Sequence, residues 1–96
     1  MKAQIIVPAL TLRTADGKLD LAATARYAER AVATWVDAFI LSGSTTRGDL
    51  FTVAERAAVL DLWLSLTDPA RLLACTWCAD DVREAVARGV RPMAVM

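Results

Sequence analysis

Apolar residues are arranged along this chain in two alternating ways. Between short continuous runs, apolar residues recur every three or four positions, as at Leu21, Ala25, Ala28 and Val32. Continuous runs of this length are typical of buried strands, whereas the longer period is typical of a helix with one buried face. The pattern therefore predicts three helices and four strands. The strands are expected at residues 4–10, 38–43, 71–77 and 91–96.

Polar residues at the ends of the periodic stretches predict where the helices begin and end. Thr52 and Glu55 have the spacing of a capping box, in which each side chain satisfies a backbone amide at a helix start. Pro69 disfavours helical backbone at the residue before it, so we expect the second helix to end there. The third helix is expected to be capped by Asp80 or Asp81.

The element order β-α-β-α-β-α-β, with strands that are apolar throughout, predicts an α/β fold in which helices cover a parallel sheet. Two architectures have this order, a doubly wound sheet and a section of a (βα)8 TIM barrel. A complete barrel needs about 250 residues, whereas this chain has 96. We therefore expect residues 1–96 to form one domain, the N-terminal half of a barrel, through truncation, a split gene or an incomplete sequence.

The composition excludes several classes of function. The chain has 11 basic and 11 acidic residues, so it offers no net charge that would favour nucleic acid or an anionic membrane. It has no His, which excludes His-based triads and His-ligated metals within the chain. Apolar residues make up 56% of the sequence, above the roughly 45–50% usual for soluble domains. We therefore expect the chain to pack against something beyond itself.

The sequence also lacks the signals of a membrane or secreted protein. No apolar run approaches the roughly 20 residues of a membrane span. The first residues contain one Lys and an apolar run that is interrupted by Pro8, with no small-residue cleavage site after it. A cytoplasmic protein that does not enter a membrane is the resulting expectation.

Cys75 and Cys78 have the C-x-x-C spacing and lie between a predicted strand and a predicted helix. At that position a helix dipole would lower a thiol pKa and favour redox chemistry. The alternative is that they are two part-buried cysteines at the end of a strand. Two thiolates fall short of the three or four protein ligands of a zinc site, so we expect no metal.

Arg47, Gly48 and Asp49 form the tripeptide of cell-adhesion motifs. An adhesion motif needs an exposed loop on a secreted protein, and no secretion signal is present. Short motifs also match by chance. We therefore do not interpret this tripeptide as an adhesion site.

A polar segment, Gly43-Ser44-Thr45-Thr46, follows the second predicted strand, at the end where parallel α/β folds place their sites. Successive backbone amides in such a turn can bind an anion. The hydroxyls of Ser44 and Thr45 could bind a carboxylate or relay a proton. The alternative is a polar loop in which Ser and Thr serve only the turn.

The Trp residues are interpreted as packing residues rather than as a binding platform. Trp35 and Trp63 lie beside apolar stripes of predicted helices, and Trp77 follows a predicted strand. Arg26 and Arg30 lie off the apolar stripe of the first helix, so we expect them on a solvated face.

Four motifs follow one another in a fixed order: VPALT at 7–11, ADGKLDLAA at 15–23, VDAFILSGSTT at 36–46 and TVAER at 52–56. In this order and spacing the chain resembles the dihydrodipicolinate synthase / N-acetylneuraminate lyase family, which are class I aldolases with a TIM-barrel fold. The similarity runs through all 96 residues and corresponds to the N-terminal portion of such an enzyme.

This resemblance implies a lyase or synthase that condenses or cleaves pyruvate-type 2-oxo acids through a Schiff base and needs no cofactor. The nucleophilic Lys of the family lies on the sixth strand, beyond this chain, and neither Lys2 nor Lys18 matches it. In that family, the paired hydroxyl residues after the second strand bind the substrate carboxylate and join a proton relay. Ser44 and Thr45 occupy those positions, so Ser44 is the candidate proton relay.

The chain departs from the family pattern around this pair. The family's Gly-Thr-Thr-Gly-Glu is Gly43-Ser44-Thr45-Thr46-Arg47 here, and the Pro-Phe expected after Thr11 is Leu12-Arg13. We still assign substrate binding to the whole segment from Gly43 to Arg47, with Arg47 at the mouth of the site. The departures indicate a divergent branch whose substrate does not transfer.

The hypothesis from the sequence is therefore the N-terminal part of a Schiff-base aldolase, inactive as an isolated chain. Its partner is a small 2-oxo acid rather than nucleic acid or membrane, and we expect the complete protein to be a homo-oligomer. Two alternatives stay open, a non-catalytic half-barrel that works by binding or assembly, and a C-x-x-C thiol-redox protein.

Overall fold

The four strands form one parallel sheet in which each strand lies beside the next one along the chain. A computed structural model describes residues 4–94. This strand order confirms a section of a (βα)8 barrel, because a doubly wound sheet reverses its order at a switch point. The strands are β1 (Ile6–Pro8), β2 (Ala38–Leu41), β3 (Leu72–Thr76) and β4 (Arg91–Ala94).

Three helices connect the strands: α1 (Leu21–Val32), α2 (Val53–Leu64) and α3 (Ala79–Ala87). A carboxylate oxygen of Asp20 accepts the amide hydrogen of Ala23 and caps α1. The predicted capping box of Thr52 and Glu55 is confirmed at the start of α2, with both reciprocal hydrogen bonds present. Among the described residues, no helix is long and apolar enough to cross a membrane.

Two helix boundaries differ from the prediction. Helix α2 ends at Leu64, before the predicted stop at Pro69. The carbonyl of Leu62 accepts from the amide and the hydroxyl of Ser65, and the amide of Leu66 bonds to Trp63, three residues back, so the regular helical pattern stops there. Helix α3 is preceded by Cys78 rather than capped by Asp80 or Asp81. Asp81 instead lies inside the first turn, where its carboxylate is engaged by buried partners.

The strands are shorter than the apolar runs that predicted them. β1 occupies only three residues of the predicted run 4–10, since the chain leaves the sheet after Pro8. The amide of Ala9 still donates to the carbonyl of Ile40, which holds this segment beside β2. The predicted end of the fourth strand, at 95–96, lies outside the described residues.

One face of the sheet is covered by the helices. Phe39 and Leu41 of β2 project into this layer, where Trp63 of α2 is fully buried. The rings of Phe39 and Trp63 are 5.1 Å apart between centroids, and Tyr27 of α1 meets Trp63 edge-on. Trp35 does not share this role. Its side chain is 78% exposed, so the interpretation of Trp35 as a packing residue is wrong.

The opposite face of the sheet carries apolar side chains, and no helix within residues 4–94 covers it. Successive residues of a strand point to opposite faces, so Ile40 lies opposite the side that Phe39 and Leu41 occupy. Ile6 of β1, which pairs with Ala38 and lies on the same face as Ile40, is 43% exposed. We call this surface the inner face because it corresponds to the interior of a barrel. Its apolar members are Ile6, Pro8, Ala38, Ile40, Leu73, Cys75 and Met93.

Candidate functional site

The polar segment after β2 forms two consecutive 3₁₀ turns at the carboxyl edge of the sheet. The turns are Ser44–Thr46 and Gly48–Leu50, and they meet at Arg47. Arg47 has left-handed backbone with φ of 53°, and Ser42, just before the first turn, has φ of 57°. Left-handed backbone is uncommon for non-glycine residues. The segment therefore has a defined shape that neighbouring groups must hold.

Ser44 and Thr45 lie at the exposed edge of the first turn. Both residues are exposed, and their hydroxyls form no hydrogen bond with any residue in the range 4–94. The first amides of such a turn have no partner inside it. This pair therefore presents free hydrogen-bond donors at the sheet edge where parallel α/β proteins bind their ligands.

Thr46, by contrast, is turned inward. Its hydroxyl accepts the amide hydrogen of Thr11 at 2.7 Å and donates to the carbonyl of Thr11 at 3.1 Å. The residue is only 6% exposed. The side chain of Thr46 thus anchors the turn to the end of the β1 segment, and it is Ser44 and Thr45 that remain available for a ligand.

Arg47 lies beside the pair, but its charge is already engaged. Its Nε and Nη2 each donate to an oxygen of Asp49 at 3.0 Å. The hydrogen bond and charge of Asp49 raise the pKa of Arg47, and those of Arg47 lower the pKa of Asp49. Because Arg47 and Asp49 pair with each other, an anion beside Arg47 would meet a charge that Asp49 already partly offsets.

Gly48 is required by a close approach between two backbone segments. A Cβ atom at this position would lie 1.9 Å from the carbonyl oxygen of Ser42. The same oxygen accepts a hydrogen bond from the indole of Trp77 at 2.9 Å. The Gly of the Arg-Gly-Asp tripeptide therefore has a steric reason, and Trp77 joins the ends of β2 and β3.

A buried ion pair between Arg56 and Asp81 lies beneath the loop. Arg56 Nε is 2.9 Å from Asp81 Oδ1, and the side chains are only 10% and 5% exposed. Another nitrogen of Arg56 donates to the carbonyls of Gly48 and Phe51. The second oxygen of Asp81 accepts the amide hydrogen of Trp77. One ion pair thus supports the loops after both β2 and β3.

The pKa of Asp81 reflects two opposing effects. Burial alone would raise it, but the hydrogen bonds from Arg56 and from the Trp77 amide, together with the positive charge of Arg56, outweigh burial. The pKa of Asp81 therefore lies below its ordinary value, and the carboxylate is charged at neutral pH.

The sequence did contain a signal for this ion pair. Arg56 falls three residues after Val53 and four before Leu60, so it lies on the apolar stripe of its helix. Asp81 lies four residues before Ala85, on the apolar stripe of α3. A charged residue on a buried stripe needs a partner, and here the two are partners of each other.

The two cysteines differ in their surroundings. Cys75 is buried in β3 and Cys78 is exposed before α3. Burial raises the pKa of the Cys75 thiol, which is the opposite of the shift that favours redox chemistry. A Cβ atom on Gly43 would lie 3.4 Å from the sulfur of Cys75, so this thiol packs under the start of the first turn.

Comparison of folds defines the class of protein as a section of a (βα)8 barrel. The chain superimposes with a TM-score of 0.80 on dihydrodipicolinate synthase from Agrobacterium tumefaciens str. C58, at 26% identity. It superimposes with a TM-score of 0.73 on N-acetylneuraminate lyase from Proteus mirabilis, at 25% identity. A variant of 2-keto-3-deoxygluconate aldolase from Sulfolobus solfataricus gives 0.77 at 20% identity, which shows the fold alone.

These structures confirm the resemblance that the sequence motifs indicated. The alignments with the synthase, the lyase and the aldolase cover 96%, 97% and 96% of this chain, respectively. They cover only 35%, 33% and 32% of those three enzymes. The chain therefore spans about a third of the length of the enzymes it matches, consistent with an N-terminal portion. No protein-family model matches the sequence, and neither does any curated protein.

Proposed function

We propose that this chain carries the carboxylate-binding part of a 2-oxo acid site in an aldolase-type enzyme. The nucleophilic Lys that forms the Schiff base would lie outside these 96 residues. The observation that carries the proposal is the pair of exposed side chains, Ser44 and Thr45, whose hydroxyls have no partner within 4–94. The proposal also rests on the likeness to the synthase, lyase and aldolase structures.

The chemistry suits a carboxylate because the loop offers hydrogen-bond donors and its one carboxylate is already paired. A carboxylate accepts hydrogen bonds from hydroxyls and amides, and bonds to a charged acceptor are the stronger ones. Ser44 and Thr45 supply both kinds of donor from adjacent residues. The one nearby carboxylate of the loop, Asp49, is neutralised by Arg47, so it offers little repulsion to an anion.

Ser44 is the residue that we expect to relay a proton once a substrate is bound. A hydroxyl can donate one hydrogen bond while it accepts another. Neither capacity of the Ser44 hydroxyl is used by a residue of the described chain. Thr46 cannot take this role without losing its bonds to Thr11.

Titration with pyruvate, followed by amide chemical shifts, tests the binding proposal on the chain itself. We expect pyruvate to shift the amide signals of the first turn. Loss of a hydrogen bond to a charged group should weaken binding roughly tenfold in Ser44→Ala and in Thr45→Val. Ser65→Ala is the matched control, because Ser65 is an exposed hydroxyl residue that bonds to Leu62 at the end of α2.

Equal affinity in Ser44→Ala, Thr45→Val and the control would contradict the proposal. If pyruvate shifted amides elsewhere and left the turn unchanged, the site would be wrong even though binding occurred. A longer chain that contains the nucleophile adds a second test, because borohydride should then trap a pyruvate adduct on a Lys. Lys18 is not expected to be that Lys. It is exposed in the loop after β1, and its Nζ lies 3.9 Å from Oδ2 of Asp16.

The uncovered inner face favours a second candidate, a half-barrel that works by binding or assembly. Ile6 is prominently exposed there, and the outer edges of β1 and β4 pair with no strand among residues 4–94. Exposed apolar surface beside open sheet edges favours association. Light scattering during size exclusion tests it, since a well-folded monomer at high concentration would count against an assembly role. That the complete protein forms a homo-oligomer is likewise a proposal, and light scattering on the complete protein would test it.

A further inference from the structure

Arg13 makes an unusual connection between the loop after β1 and the loop after β2. A single nitrogen of its guanidinium, Nη2, donates to the carbonyl of Thr46 at 2.7 Å and to that of Arg47 at 2.9 Å. The guanidinium carbon lies 4.4 Å from the centroid of the Phe51 ring. Arg13 therefore contacts the middle and the end of the loop that presents Ser44 and Thr45.

These contacts fix the residues that directly follow the free hydroxyl pair. The carbonyls of Thr46 and Arg47 belong to successive peptide groups, so one donor orients both planes. The Thr46 hydroxyl binds both backbone groups of Thr11 and anchors the same point from its side chain. At the other end, the carbonyl of Gly43 accepts the amide hydrogen of Gly48. Ser44 and Thr45 are thus held between two fixed ends.

The backbone at Arg47 benefits from this support. Left-handed backbone is disfavoured for a non-glycine residue because its Cβ crowds the following carbonyl, and Arg47 has φ of 53°. The carbonyl of Arg47 accepts the amide hydrogen of Leu50 as well as the charge-assisted hydrogen bond from Arg13, which is the stronger kind of bond. Removing Arg13 would therefore weaken the hold on the end of the first turn without touching either hydroxyl.

We propose that Arg13 is a positioning residue that holds Ser44 and Thr45 in the geometry needed for a carboxylate. This inference rests on the proposed 2-oxo acid site. We assign Arg13 to the loop rather than to the ligand because its Nη2 donates to two loop carbonyls and its guanidinium lies over the ring of Phe51. A positioning role also connects two departures from the family pattern, Arg13 and Thr46. Together they hold the end of the first turn, Arg13 through the carbonyls of Thr46 and Arg47 and Thr46 through Thr11. We call these contacts the clamp.

The test compares Arg13→Ala, Arg13→Lys and the control Arg26→Ala, which removes an Arg from the exposed face of α1. Three readouts are taken on each chain: the carbonyl ¹³C shifts of Thr46 and Arg47, amide hydrogen exchange at Ser44 and Thr45, and the dissociation constant for pyruvate. For Arg13→Ala we expect shifted carbonyl signals, exchange faster by roughly tenfold and pyruvate binding weaker by roughly tenfold.

Arg13→Lys keeps the charge and one donor group but loses the planar fork, so it should restore part of the affinity. This variant also keeps the test informative if Arg13→Ala fails to fold. The control should match the unchanged chain in all three readouts. Rescue of affinity by Lys, together with recovery of the carbonyl signals, is a result that a general loss of stability would not produce.

Unchanged carbonyl signals and exchange rates in Arg13→Ala would overturn the positioning role, whatever the affinity. Altered loop signals with unchanged affinity would also overturn it, because the clamp would then be structural alone. Failure of the unchanged chain to bind pyruvate would contradict the proposed function, and it would also remove the ligand for which Arg13 positions the pair. The carbonyl and exchange data would still decide whether the clamp exists.

Discussion

The two faces of the sheet show how far this chain completes its own structure. In β2, Leu41 is 1% exposed beneath the helices, while its neighbour Ile40 points to the inner face, which no helix of the described part of the chain covers. Both are large aliphatic residues one position apart, so residue type alone does not distinguish the two faces. The difference lies in what covers them. The outer layer is formed by α1, α2 and α3, whereas the inner face leaves apolar side chains such as Ile6 exposed.

Replacing two Trp residues gives the largest contrast between covered and uncovered positions. Trp63→Ala should lower the free energy of unfolding by about 3–5 kcal/mol, because it leaves a cavity beside Phe39 and Tyr27. Trp35→Ala should change it by less than about 0.5 kcal/mol. Urea unfolding of both variants measures the difference. Similar losses in the two variants would show that the outer layer is not the stabilising core.

The buried ion pair gives a smaller contrast that depends on pH. Asp81→Asn should cost about 3 kcal/mol at neutral pH because it leaves the Arg56 charge buried without its partner. Asp80→Asn is the control, since Asp80 lies next to it in an exposed pair with Arg83. The control should cost less than about 1 kcal/mol.

The pH dependence of this pair has a defined sign. The pKa of Asp81 is lower in the folded chain than its ordinary value, which is about 4. Its stabilisation is therefore complete above about pH 4 and is lost as the pH falls through the lower pKa of the folded state. Unfolding measured from neutral pH downwards should show this loss in the unchanged chain and a flatter profile in Asp81→Asn. A profile of equal slope in the two chains would show that other carboxylates control acid unfolding.

A substitution on the inner face should have the smallest effect on the free energy of unfolding and a larger effect on self-association. Ile40→Ser should lower the free energy of unfolding by roughly 1 kcal/mol, because its side chain is only partly buried. It should also reduce self-association, measured by light scattering across a concentration series. Leu50→Ser is the control, because Leu50 is exposed on the loop and belongs to no strand. Equal association in the two variants would indicate that the inner face is not the surface that associates.

The architecture could be predicted from the sequence because it depends on patterns that repeat. Apolar runs and three-to-four-residue periods report burial, and the Thr52–Glu55 capping box reports a helix start from two residues alone. The exact ends could not be predicted in the same way. Helix α2 ends early because Ser65 bonds to the carbonyl of Leu62 and the amide of Leu66 bonds to Trp63, and a single Ser does not mark a helix end in the sequence.

The candidate site was predictable in position but not in detail. The pattern located Gly43 to Arg47 after β2, yet Thr45 and Thr46 look equivalent in the sequence and only the fold separates an exposed hydroxyl from an anchoring one. The role of Arg13 depends on a contact across 33 and 34 positions of the chain. Contacts of that separation become visible only when the strands are brought together.

The most direct test of the central claim is whether this chain recognises a carboxylate at Ser44 and Thr45. One titration series, read at the amides of these two residues, compares pyruvate with methyl pyruvate, which keeps the ketone but lacks the charged carboxylate. We predict that pyruvate binds at least about tenfold more tightly, because the bonds to a charged acceptor are lost in the ester. Equal affinity for the two compounds, or no change at these amides, would contradict the account.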